Sequence, residues 1–243
     1  MKEQTSPYGK LIIGSSSELF AKAVEIANET ATHSPREEIS WALHGGSTPL
    51  DFYKFIRENE SLSPEFLKTA RWFTSDERFV PVNSDESNFG NLDRNLLSHY
   101  NVHEDHKFPW PTDLQPEPAA LMYGDLLENL QGPHGCFDLC FLGMGDDGHT
   151  ASLFPNSPIL QKNPKQYFAS VEVPGKGHRL TITPNGLKDC GRIVVMVCGE
   201  NKAITLSAVL SGLAQPSVYP IQTLAHVAMK TTWLVDEAAA AKL

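Results

Sequence analysis

Ile39-Ser40-Trp41-Ala42-Leu43-His44 runs into Gly45-Gly46-Ser47-Thr48, and then into Pro49 through Asn59. The first segment is almost wholly apolar, as a strand covered on both faces should be. The last opens on a proline, which suits the first turn of a helix, where no intrahelical donor is needed. The whole therefore reads as strand, glycine turn, helix. The same pattern recurs outward from it. Further strands are expected at Lys10–Gly14, Ala70–Ser75, Phe137–Leu142, Tyr167–Val173, Leu180–Thr183, Arg192–Cys198 and Thr232–Val235. Helices are expected at Ser17–Thr30, Pro118–Leu130 and Asn201–Leu210. The first of these carries Phe20, Val24 and Ala27 on one stripe, with Ser15, Ser16 or Ser17 to cap it. Strand and helix in alternation point to a parallel α/β sheet sandwiched by helices.

The chain has 243 residues, 41% of them hydrophobic and 20% charged, with a formal charge of −9. That length suits one large domain, and residues 1–243 are read as a single α/β domain. The apolar content excludes a disordered chain. The acidic balance argues against nucleic acid as a partner, and means that any anionic substrate needs a local positive site. The longest apolar run, Ile193–Cys198, is far short of the roughly 20 residues needed to span a membrane. Leu11–Ile13 is likewise too short for a signal-peptide core. Cys136, Cys140, Cys190 and Cys198 show no CxxC spacing and read as free, mostly buried thiols. A cytoplasmic monomer acting on a small molecule, with no metal and no cofactor, is the simplest expectation.

On a parallel sheet, ligands bind outside the carboxyl ends of the strands. Four loops there carry unusual residues. In His44–Pro49, paired glycines permit close backbone approach, and a helix start offers free amides; Gly45, Gly46, Ser47 and Thr48 form a candidate phosphate cradle. The alternative is a tight turn with Ser47 or Thr48 as cap. In Ser75–Pro81, Arg78 could fork onto an anion with Asp76 or Glu77 orienting it, or the three could form a solvated loop. In Cys198–Ala203, Lys202 falls in a first helical turn, where a bound anion would relieve its conflict with the helix dipole. Arg179, opening a later strand, is either a second anion contact or an edge residue.

The fourth loop is the sharpest: Gly143-Met144-Gly145-Asp146-Asp147-Gly148-His149-Thr150-Ala151-Ser152-Leu153-Phe154-Pro155. It contains a literal GxGxxG at Gly143, Gly145 and Gly148. A dinucleotide site is rejected, because two carboxylates would face the pyrophosphate and Pro155, Pro158 and Pro164 leave no room for the long helix. The remaining reading is a glycine-shaped loop presenting His149 beside a carboxylate that sets its tautomer.

HGGSTP, SDERFVP with Ser87-Asn88, FDLCFLGMGDDGHTASLFPNSP, RLTITP, CGENKA and WLVDEAA, in that order, resemble the 6-phosphogluconolactonase family along nearly the whole chain. The resemblance implies a three-layer αβα sandwich with a mainly parallel, Rossmann-like sheet and a few peripheral strands. It also implies hydrolysis of 6-phospho-glucono-δ-lactone to 6-phosphogluconate, with His149 as general base and Arg78 and Lys202 on the phosphate. His44 stands where that family more often has serine, and Ser75 where glycine is common. Asp147 is expected to orient His149, Asp146 to repel the carboxylate product, and backbone amides at Gly143 and Gly145, or at Gly45–Gly46, to hold the oxyanion. The runners-up are a glucosamine-6-phosphate deaminase/isomerase, whose corresponding stretch carries an acid absent from Thr150–Pro155, and a non-catalytic sugar-phosphate sensor.

Overall fold

A computed structural model describes residues 1–132, 135–162 and 164–243. In chain order the strands are β1 (Lys2–Ser6), β2 (Gly9–Gly14), β3 (Ile39–Leu43), β4 (Ala70–Thr74), β5 (Asp76–Arg78), β6 (Leu139–Gly143), β7 (Phe168–Val173), β8 (Gly177–Ile182), β9 (Arg192–Val197) and β10 (Thr231–Asp236). The helices are α1 (Ser16–His33), α2 (Ser47–Asn59), α3 (Pro64–Thr69), α4 (Asn88–Leu92), α5 (Pro116–Gln131), α6 (Pro158–Lys162), α7 (Pro184–Asp189) and α8 (Ala203–Ser211). A 3-10 segment, Pro220–Lys230, bends at Val227 before β10.

Seven strands form one sheet in the order β1-β2-β10-β9-β6-β3-β4, parallel except for β1. From β3 the chain first builds outward to β4 and then returns to place β6 on the other side of β3. The carboxyl ends of β3 and β6 therefore flank a topological switch point, where a crevice opens. The second sheet, β5-β8-β7, is antiparallel.

Alternating side chains fill the two faces of the large sheet. Trp41, Leu43, Phe141 and Met196 meet α1, α2 and α3 through Phe20, Phe52, Ile56 and Phe66. Ala42, Cys140, Leu142 and Val195 meet α5, α8 and the small sheet through Tyr123, Leu206, Leu180 and Ile182. This is the three-layer sandwich expected. Trp41 is fully buried, with Phe66 at 5.1 Å edge-on, Trp72 at 5.1 Å and Phe141 at 5.2 Å between ring centroids. At the amino ends, the Asp138 carboxylate accepts from the Ser40 amide (2.8 Å) and hydroxyl (2.9 Å), pinning β3 to β6.

Ser15 caps α1, its hydroxyl accepting from the Glu18 amide while the Glu18 carboxylate accepts from the Ser15 amide at 2.9 Å. Three features depart from the sequence reading. β1 is polar and exposed, so no apolar alternation marked it. The strand expected through Ser75 ends at Thr74, and the chain crosses at Ser75 into the small sheet, where Asp76–Arg78 is a strand instead of a solvated loop. α3 and α7 were not anticipated, although Ser63-Pro64 and Thr183-Pro184 are each a cap followed by proline at the first helical position. Between α4 and α5, Trp110 is an anchor: it is buried, stacks on Tyr123 at 3.8 Å and donates to the Thr74 carbonyl at 3.1 Å. All four cysteines are free, three of them buried. Among the described residues, no helix is long and apolar enough to cross a membrane.

Removing the Trp41 side chain leaves a large cavity between two layers. Trp41→Ala is expected to lower unfolding free energy by about 3–5 kcal/mol in a urea titration followed by circular dichroism.

Candidate active site

A cleft of roughly 280 Å³ opens at the switch point, a size at the lower end of small-molecule sites. All four loops contribute. The β3–α2 turn supplies His44, Gly45, Gly46, Ser47 and Thr48; the strand β5 supplies Asp76 and Arg78; the loop after β6 supplies Gly143, Gly145 and His149; the turn after β9 supplies Cys198, Asn201 and Lys202. Asp147 touches His149 from outside the lining. Arg179 does not line the cleft, but lies opposite Arg78 in the β5–β8 register.

At the first loop, Gly46 takes φ +114°, a conformation open to glycine, and Ser47 begins α2 directly behind it. No side chain caps this helix. Ser47 and Thr48 are therefore helical residues and not caps, and both line the cleft at a helix start, whose first amides have no intrahelical partner. Gly45 is glycine for a different reason: a Cβ there would overlap the Asn88 carboxamide.

Asn88 is a site residue that the sequence reading quoted but did not place. Its Nδ2 donates to the Asp76 carbonyl at 2.8 Å and to its carboxylate at 3.3 Å. The organiser of this corner is Glu77, only 2% exposed. Its carboxylate accepts from the amides of Arg78 (2.8 Å), Asn88 (2.6 Å) and Phe89 (2.8 Å) and from the Ser87 hydroxyl (3.0 Å). Burial nonetheless pushes the Glu77 carboxyl up to about 7, against those four donors. Neither acid orients Arg78 as expected; its Nη1 donates to the Glu86 carbonyl at 2.8 Å. Asp76 accepts from the Ser152 hydroxyl at 2.7 Å, and burial raises its carboxyl above the usual range. Burial and the nearby Arg78 charge together lower the Arg179 guanidinium, so a second cation lies behind Arg78.

The loop after β6 holds His149 by its Nδ1, 2.5 Å from the Asp147 carboxylate, which also accepts the His149 amide at 3.0 Å. Burial works against the Asp147 anion, but these donors hold its carboxyl at about 2. Asp147 thus stays ionised through the neutral range, and Nδ1 carries the proton toward it. Gly143 and Gly145 make room for two imidazoles. A Cβ on Gly143 would lie 2.8 Å from the His44 ring, and one on Gly145 would overlap the Nδ1–Cε1 edge of His149. The expected oxyanion role of the Gly145 amide is corrected: that N–H already donates to the His149 carbonyl at 2.8 Å. Gly143 lies in β6, paired with Met196 of β9.

Lys202 also differs from expectation. It ends a 3-10 turn, Glu200–Lys202, ahead of α8, and its ammonium is already paired with Asp146. Asp146 further accepts from Asn201 Nδ2 at 2.9 Å, and the Lys202 hydrogen bond holds its carboxyl below the usual range. Its charge is therefore matched within the protein and not left to repel a product. His44 donates from Nδ1 to the Gly45 carbonyl at 3.0 Å, and burial pushes the imidazole down to about 4, so it is neutral.

Fold and cleft together define an α/β protein with a small cleft at the strand ends, lined by Arg78, Lys202 and a carboxylate-held histidine. A family model described as glucosamine-6-phosphate isomerases/6-phosphogluconolactonase matches residues 14–233. The chain belongs to that family. The 6-phosphogluconolactonase of Chlamydia pneumoniae is 34% identical over 199 residues, covering 80% of this chain and 74% of that protein. The human GDH/6PGL endoplasmic bifunctional protein is 30% identical over 240 residues, 93% of this chain but 29% of that longer protein. Among solved structures, 6-phosphogluconolactonase from Trypanosoma brucei superposes with a TM-score of 0.77 at 26% identity, covering 100% of both chains. A monomeric glucosamine-6-phosphate deaminase shares the fold, with a TM-score of 0.80 at 18% identity over 96% of this chain and 99% of that one.

Inorganic phosphate at ten times its dissociation constant is expected to stabilise the protein by about 1.4 kcal/mol, a rise of a few degrees in Tm. Arg78→Gln and Lys202→Gln should each reduce that rise in a thermal-shift titration, whereas Lys54→Gln, on the exposed face of α2, should not.

Proposed function

We propose that this chain hydrolyses 6-phospho-D-glucono-1,5-lactone to 6-phosphogluconate, as one α/β domain with His149 as its base. The observation that carries the reading is the 2.5 Å Asp147–His149 contact in a cleft also lined by Arg78 and Lys202. Support from relatives comes from the lactonase names at 34% and 26% identity.

A lactone is an activated ester, so its hydrolysis calls for a placed water, a base and donors for the oxyanion. Asp147 accepts a hydrogen bond from the Nδ1–H of His149, which leaves the Nε2 lone pair to take a proton from water. The hydroxide so formed adds to C1, and the carbonyl electrons move to oxygen. With the Gly145 amide committed elsewhere, the Gly46–Ser47 amides are assigned to that oxyanion. Collapse of the tetrahedral intermediate breaks the bond from C1 to the ring oxygen, which leaves with the proton from Nε2. Water is consumed, and the product is the open-chain carboxylic acid. Arg78 and Lys202, with the Thr48 hydroxyl, are assigned to the phosphate, whose binding positions C1, and Arg179 adds positive charge opposite Arg78 without lining the cleft. Asp146 releases part of its hold on Lys202 when the phosphate arrives. Asp76 accepts from a sugar hydroxyl.

Freshly made 6-phosphogluconolactone, which also opens spontaneously, is the substrate for the test. Wild type should accelerate its loss over a blank, and His149→Ala should lower kcat by about 10²–10⁴. Asp147→Asn should also lower kcat, through the wrong tautomer, with KM changed less than threefold. Wild-type turnover in His149→Ala would remove this base, and release of ammonia from glucosamine 6-phosphate without lactone hydrolysis would replace the reaction. Because Asp147 is held at about 2, it stays ionised from pH 5 to 9, so its own titration should leave no step in the rate profile there.

A further inference from the structure

Phe154, five residues beyond His149, has no part in the chemistry above and does not line the cleft. Yet its ring lies on the His149 imidazole, with centroids 4.4 Å apart and 30° between the planes. Lys176 Nζ lies 4.6 Å over the centroid of the same phenyl ring. That lysine sits at the tip of the β7–β8 hairpin between Gly175 and Gly177, both with positive φ. On another side, Gly145 lies against the Nδ1–Cε1 edge of the imidazole, so close that no Cβ would fit.

A histidine side chain has two free torsions. The Asp147 contact fixes where Nδ1 is, but a single hydrogen bond leaves the ring free to swing about it. A proton acceptor must hold its nitrogen within hydrogen-bond reach of the water it activates, and a displacement of about 1 Å costs on the order of 10² in rate. We propose that Phe154 is a positioning residue for the histidine base: its phenyl face, together with Gly145, removes the remaining rotation and sets the direction of Nε2. Lys176, over the phenyl ring, ties the small antiparallel sheet to the same stack. This inference rests on His149 acting as the base.

The experiment compares Phe154→Leu, Phe154→Tyr and His149→Ala in the lactone assay, with thermal melting to establish folding. Phe154→Leu should lower kcat about tenfold or more with KM within twofold of wild type, because the lesion is in aim and not in binding. Phe154→Tyr, which keeps the aromatic face, should recover kcat to within about threefold. A wild-type kcat in Phe154→Leu, or a loss confined to KM, overturns the proposal while leaving the base intact. Wild-type activity in His149→Ala instead removes the base itself, which is a separate failure. A second readout needs no leucine variant to fold. In wild type, a ring proton of His149, identified by its loss in His149→Ala, should resonate upfield through the phenyl ring current. Its absence from the upfield region overturns the stack in solution.

Discussion

A parallel strand between two parallel neighbours must bury both of its faces, and β3 is the strand on which this constraint acts most strongly. Every residue of β3 is buried, with Trp41 wedged among Phe66, Trp72 and Phe141 on one side and Ala42 on the other. Because the chain departs from β3 in both directions across the sheet, the loops after β3 and β6 diverge and leave a crevice. The site is the consequence of that burial. Side chains that converge there come from strands held rigidly at their other ends, as Ser40 and Asp138 show at the opposite rim.

The proposed substrate is an anion, and the molecule has a formal charge of −9. The acids around the cleft are kept occupied. Glu77 is enclosed by four donors, Asp147 faces the histidine, and Asp146 is matched by Lys202 and Asn201. What the cleft itself presents is the uncapped start of α2, Arg78, and a lysine whose present partner lies on an exposed loop.

The glycines of the two central loops act through absence of volume more than through flexibility. Gly45 admits Asn88, Gly143 admits His44, and Gly145 admits His149. Of the glycines in these two loops, Gly46 and Gly148 are the ones with positive φ. A GxGxxG pattern that elsewhere brings a backbone to a pyrophosphate here brings it to imidazoles. His44 belongs to the same scheme, since the ring is neutral, buried and seated on Gly143.

The sequence by itself determined the strand–helix alternation, the four loops at the carboxyl ends, and the pairing of Asp147 with His149. These are interactions between residues a few positions apart, and short-range geometry follows from covalent connection. Only the tertiary structure decided that Asp76–Arg78 is a strand of a second sheet, that Glu77 is buried and not solvated, and that Asp146 holds Lys202. It also decided that the Gly145 amide is already bound and that Phe154 stacks on the base. Each of these joins or reorients segments through the packing of the whole chain. A charged residue's partner is set by which strand ends lie side by side, and that order depends on all the burial at once.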